Sequence, residues 1–189
     1  MATIKEGNFS INLGLIKLDG RLTDDDRQCA WELYAEIITR VAVVGKWGDK
    51  EATSFKGEIY AESFTSLYRF FQEARSIMRK FPVGRIEKPT KDHLGVMIQR
   101  ILTDALRPFL EKWQVNYRSW WDLQMKKPDH RNPFAVQEDF ENLKLMLEDW
   151  SSIRRIMRRA AHEICDAYQL EPVIQPPATT TTPAKLTVI

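Results

Sequence analysis

Residues 60–81 read YAESFTSLYRFFQEARSIMRKF, and the apolar side chains Tyr60, Phe64, Leu67, Phe71, Ala74, Met78 and Phe81 recur there at alternating steps of four and three. Each step returns to the same side of an α-helix, so one face stays apolar for about six turns. Such a face has to be buried. Similar stripes occur in three other segments, and the chain reads as all-α, a four-helix bundle with long helices.

Working outward, the first helix is expected after Thr23, a capping hydroxyl followed by Asp24, Asp25 and Asp26 at the positive end of the helix dipole. Its face is Ala30, Leu33, Tyr34, Ile37, Ile38, Val41 and Val44, and Gly45 stops it. Residues 45–56 are polar and read as a loop. The second helix spans 57–81 and ends at Pro82, and Pro82, Gly84 and Pro89 make the next connection. The third starts near Asp92 with Leu94, Met97, Ile98, Ile101, Leu102 and Ala105, and is expected to kink or break at Pro108. Asn132 and Pro133 are a cap and first-turn pair that opens a long fourth helix, running from Val136 and Phe140 through Trp150, Ile153 and Met157 to Ile164 and Tyr168.

Residues 9–18 alternate apolar and polar, the period of a half-buried strand; they read either as a short β-like arm needing an edge to join or as a loop packed on the bundle. After Glu171, Pro172, Pro176, Pro177 and Pro183 with the threonine run 179–182 exclude helix and offer little to bury, so a disordered tail is expected. The expected organisation is an arm over 1–22, a helical bundle domain over 23–170 and a Pro/Thr-rich tail over 171–189.

Charge is nearly balanced, 28 Lys and Arg against 26 Asp and Glu, so any basic surface is local. No stretch approaches the roughly 20 apolar residues of a membrane span. The two cysteines fall inside expected helices and Lys5 and Glu6 interrupt any leader-like apolar run, so a reducing cytoplasm is the expected compartment, with no membrane partner.

Little in the residues suggests catalysis. His162 and Cys165 share a helix face without the further ligands a tetrahedral metal needs, and no metal or cofactor is expected. Gly45 and Lys46 are not a phosphate loop, because Arg40 stands where the first glycine belongs and Trp47 where Ser or Thr belongs. Arg155 and His162, two turns apart, are the one catalytic spacing, set against a plain solvated helix face. Basic residues cluster twice: Arg75, Arg79, Lys80, Arg85, Lys88 and Lys91, then Arg154, Arg155, Arg158 and Arg159. Either group is a candidate for nucleic-acid phosphates. Residues 109–125 carry Trp113, Tyr117, Trp120 and Trp121, more aromatic surface than one core face needs. They read as core, as protein-interface anchors or as a stacking surface for bases.

The spacing of Arg155 and His162 resembles the Arg-x4-6-His motif of the HEPN superfamily of helical ribonucleases, which implies a metal-independent RNA-cleaving pair. The runs Ala30-Trp31-Glu32-Leu33-Tyr34 with Thr39-Arg40-Val41-Ala42, Ser66-Leu67-Tyr68 with Arg75 and Met78-Arg79, and Leu106-Arg107-Pro108-Phe109-Leu110 with Lys112-Trp113 resemble a group of uncharacterised bacterial helical proteins associated with defence or conflict modules. That resemblance implies an interaction role. Phe81-Pro82 followed by Leu94-Gly95 and Ile98 is similar to the accessory protein of diversity-generating retroelements, which implies binding to a reverse transcriptase and nucleic acid. The leading expectation is a non-enzymatic adaptor or subunit acting on another protein or on a second copy of itself; the alternatives are a nucleic-acid-binding accessory, for RNA or DNA, and a ribonuclease.

Overall fold

The computed structural model describes residues 2–6, 9–13, 24–80, 94–127 and 131–170, and these are mostly helical. In chain order they form strands β1 (Ala2–Glu6) and β2 (Phe9–Leu13), then helices α1 (Asp24–Ile38), α2 (Val41–Val44) and α3 (Tyr60–Lys80). Next come α4 (Leu94–Arg100), a π-helical segment (Ile101–Leu106), α5 (Arg107–Met125), α6 (Pro133–Gln137) and α7 (Leu143–Tyr168). β1 and β2 pair antiparallel, with Ala2 opposite Leu13 and Glu6 opposite Phe9, and this hairpin lies against α7 and the π segment. The Thr23 cap, residues 14–18 of the alternating arm, Phe81 and the tail from Glu171 lie outside the described residues.

The stripe at residues 60–81 forms α3, with its buried line turned from the expected one. Phe70 and Ile77 are inside together with Tyr60, Phe64, Leu67 and Ala74, while Phe71 and Met78 lie at the edge. Because α3 packs on α1 as well as on α4 and α5, its buried arc extends to the side away from α4 and α5.

Three expected helix boundaries are corrected. The first helix does not reach Gly45: Arg40 is extended at φ −103°, ψ 109°, and the Thr39 hydroxyl donates to the Ala35 carbonyl at 2.7 Å, so the chain restarts as α2. The third is not broken at Pro108. Backbone angles at Arg107 stay helical, and the disturbance falls one turn earlier, where the Arg107 N–H donates to the Leu102 carbonyl five residues back. Proline offers no N–H to the carbonyl four residues before it and crowds it, and a wider turn relieves both problems. The fourth is split. Asn132 does cap α6, accepting from the Phe134 N–H at 2.9 Å with Pro133 in the first turn, but α6 is a single short turn and the long helix starts only at Leu143.

The core centres on Trp150 of α7. Its ring lies 4.5 Å from Phe64, 5.5 Å from Phe109 and 5.7 Å from Phe55 between centroids, and its indole N–H donates to the Ala42 carbonyl at 2.8 Å. One turn on, Arg154 is completely buried. Its Nη2 reaches both oxygens of Glu58 at 2.8 and 2.7 Å, its Nη1 donates to the Ser54 carbonyl at 3.1 Å, and its guanidinium lies 3.9 Å from the centre of the Phe55 ring. Burial pushes the Arg154 guanidinium below its ordinary range, and the Glu58 carboxylate opposes that shift. Glu58 also accepts from Ser63 at 3.0 Å, at the positive end of α3.

Gln137 completes the junction. Its amide accepts from the Tyr60 N–H at 3.1 Å and donates to the Glu58 carbonyl at 3.0 Å, satisfying a first-turn donor of α3 from a residue far along the chain. Above them Gly45 turns at φ +68°, and an added Cβ would stand 3.3 Å from the Arg154 side chain, so conformation and space both require glycine there.

Removing one partner of this pair strands a buried charge. We expect Glu58→Gln to cost about 3 kcal/mol in urea unfolding, and Glu58→Leu combined with Arg154→Met to cost markedly less than the sum of the two single changes. Equal additivity would show the pair is not coupled.

Candidate functional site

An apolar recess along two helices lies where α3 faces the α4–α5 helix. It encloses ≈ 530 Å³, floored by Phe71, Met78, Leu102 and Leu110. Its rim carries two exposed apolar side chains, Tyr68 at 45% and Val115 at 68% exposure. The α3 side runs from Tyr68 to Met78, about 15 Å of helix. Two sequence features create it. The turned face of α3 leaves Phe71 and Met78 only partly covered, and the π segment, by widening one turn, sets the facing side of α5 to present Leu110 and Val115.

Charge at the rim is uneven. Arg107 is paired with Glu111 at 2.8 Å along α5. Arg75 lies over the Phe71 ring, 5.8 Å from its centre, and makes no ion pair among the described residues. The groove therefore offers an apolar floor with one cation that has no acid of its own.

The residues expected from sequence fall differently. Trp113 and Tyr117 are buried, which corrects their reading as free interface anchors. Trp113 is inside because its indole N–H finds the buried Asp149 carboxylate of α7 at 2.8 Å, which Lys112 also reaches at 2.8 Å. Tyr117 packs against Phe64, Tyr60 and Phe140. Trp120 and Trp121 are half-buried: Trp120 rests on Phe140 at 5.2 Å and Trp121 stacks on Tyr117 at 6.1 Å. The half of the helix beyond Pro108 is thus packed on the core rather than displaced from it.

The second basic cluster is also corrected. Arg154 is buried, and Arg158 is turned onto the loop, donating to the carbonyls of Val44 (2.6 Å), Asp49 (2.6 Å) and Lys46 (2.7 Å). Arg155 donates to the Glu51 carbonyl at 3.1 Å and to the Ser152 hydroxyl at 3.2 Å, while His162 and Arg159 are exposed. Loop carbonyls therefore occupy donors that the sequence reading offered to phosphate. In the first cluster Lys80 pairs with Glu32 at 3.3 Å, Arg75 belongs to the groove and Arg79 is exposed, while Arg85, Lys88 and Lys91 lie outside the described residues.

Among the described residues no group of His, Cys, Asp and Glu is arranged to hold a metal ion, and no helix is long and apolar enough to cross a membrane. Cys29 and Cys165 are buried and neither is in a disulfide. Burial raises the Cys165 thiol above its ordinary range. No protein-family model, curated protein or solved structure matches the chain.

Two buried phenols at the aromatic centre give tests of this assignment. Tyr117 has a buried hydroxyl without a hydrogen-bond partner among the described residues, so Tyr117→Phe removes a desolvated polar atom and is expected to leave stability unchanged or raise it by about 1 kcal/mol in urea unfolding. Burial, with Glu138 nearby, pushes the Tyr60 phenol up to about 12. An unfolded tyrosine ionises near pH 10, about two units lower, so this contribution is intact below pH 10 and is lost as pH rises toward 12. Urea midpoints should fall across that window, and Tyr60→Phe should flatten the fall.

Proposed function

We propose that the chain is a non-enzymatic helical adaptor, of the sort that serves bacterial defence-type complexes, and that it binds an amphipathic helix of another protein in the groove between α3 and α5. The observation that carries this reading is the combination of an open apolar floor with Arg75 at its edge. A recess of about 15 Å along a helix matches three turns of a docked helix, enough for apolar anchors at positions i, i+4 and i+7. An acidic residue on the same helix would meet Arg75. Exposed anchors such as Tyr68 and Val115 fit the aromatic and aliphatic contacts that dominate helix-in-groove binding. The half-buried Trp120 and Trp121, further along α5, extend the same reading to a longer partner.

The test is selection of binders from a library of helical peptides, followed by charge reversal. Selected peptides should carry the i, i+4, i+7 apolar pattern with one acid, and should lose about tenfold or more in affinity against Val115→Asp or Arg75→Glu. A lysine in place of the peptide's acid should restore binding to Arg75→Glu. Peptides that bind both variants as well as the parent, or a dimer of the chain that covers Val115, would overturn the reading.

A further inference from the structure

The loop between α2 and α3 is held far more firmly than a connection requires. Arg158 grips the carbonyls of Val44, Lys46 and Asp49, Arg154 holds Ser54, and Arg155 holds Glu51. From inside the loop, the Asp49 carboxylate accepts from the N–H groups of Glu51 and Ser54, and these bonds hold it below the ordinary carboxylate range. Ala52 is fixed in the left-handed region at φ 57°, fully buried. What this scaffold raises to the surface is one aromatic ring. Trp47, at 38% exposure, stands at the tip with the Arg158 guanidinium over its ring, 5.4 Å from the centre.

Residues 46–56 carry three lysines and two acids. Lys46, Lys50 and Lys56 are exposed there, with Lys46 donating to the Lys56 carbonyl, and Arg159 is exposed on α7. Of the two acids, Asp49 is turned inward and Glu51 is exposed. Lys50 and Arg159 make no ion pair among the described residues. A tryptophan anchoring a protein interface sits among other apolar groups that exclude water. A lone, rigid indole on a lysine-bearing loop, with an arginine over its ring, is instead what an unpaired base needs, a flat π surface to stack on with cations in reach of the flanking phosphates. Fixing the ring in advance removes the ordering cost on binding.

We propose that the Trp47 loop is a binding site for single-stranded nucleic acid, with a base stacked on Trp47 and the adjoining phosphates facing Lys50 and Arg159. The site is separate from the groove, so an adaptor with this loop joins a protein partner to a nucleic-acid strand. Neither surface depends on the other.

The experiment is fluorescence anisotropy of a labelled oligothymidine of about 15 nucleotides with the full chain, titrated at low and moderate salt. Saturable binding at low salt is expected, weakened about tenfold or more by Trp47→Ala but only about twofold by Trp47→Phe. A duplex of the same length should bind more weakly. Lys50→Glu, at an exposed position, should weaken binding at least about threefold and lower its salt dependence, and it carries the test if Trp47→Ala lowers the melting temperature. The proposal is overturned by absence of binding at low salt, by equal affinity for the duplex, or by variants that bind like the parent. It is equally overturned if an acidic peptide, and not the oligonucleotide, shows the dependence on Trp47.

Discussion

A guanidinium removed from water on every side is unfavourable unless its donors are met, and at Arg154 one short stretch, residues 54–58, meets them. Glu58 supplies the charge, Ser54 a carbonyl and Phe55 a ring face. None of these can shift without leaving a buried donor or acceptor unpaired, a cost of several kcal/mol. The pair therefore fixes where α7 meets the loop and where α3 begins. Gln137 then ties α6 to the same corner through the α3 N-terminus. The aromatic packing around Trp150 is adjacent, one turn back on α7, and depends on that corner for its register. Hydrophobic burial supplies most of the driving force here, and the ion pair adds a directional constraint that apolar contacts lack.

The helical content was legible because apolar periodicity is a local property, and α3, α5 and α7 all follow from it. Asn132 and Pro133 were legible for the same reason, since a cap is decided within three residues. The helix end at Gln137 was not, because it depends on a partner distant in sequence, whereas the end at Thr39 rests on a bond to Ala35 only four residues back that the apolar stripe running through it hides. Gln137 leaves the helix to serve Tyr60, which only the folded chain places beside it. Arg154 was the largest misreading. Among four arginines it looked solvated, and nothing local marks the one that has an acid waiting nearly a hundred residues earlier. Asp149, which draws Trp113 inward, was invisible for the same reason.

The groove was missed by a different route. The apolar pattern of α3 predicted Phe71 and Met78 correctly as members of a stripe, but whether a stripe residue is covered depends on the neighbouring helix. Here the neighbour covers Phe70 and Ile77 instead. Trp47 was dismissed with the loop that carries it, because a polar connection reads as filler until its carbonyls are seen converging on one arginine.

The π segment before Pro108 has a consequence for how this surface can change. A π turn holds one more residue than the α turn it replaces, so it is the structural trace of a single inserted residue. Deleting one residue between Ile101 and Leu106 would restore the regular ladder and leave the side chains after it on their present faces, because the wide turn already absorbs the extra residue. Winding the same six residues as plain α-helix would instead turn Leu110 and Val115 by about 100°, out of the recess, with α3 untouched. The wide turn is thus what keeps the α5 wall of the recess in place on a helix carrying one residue too many.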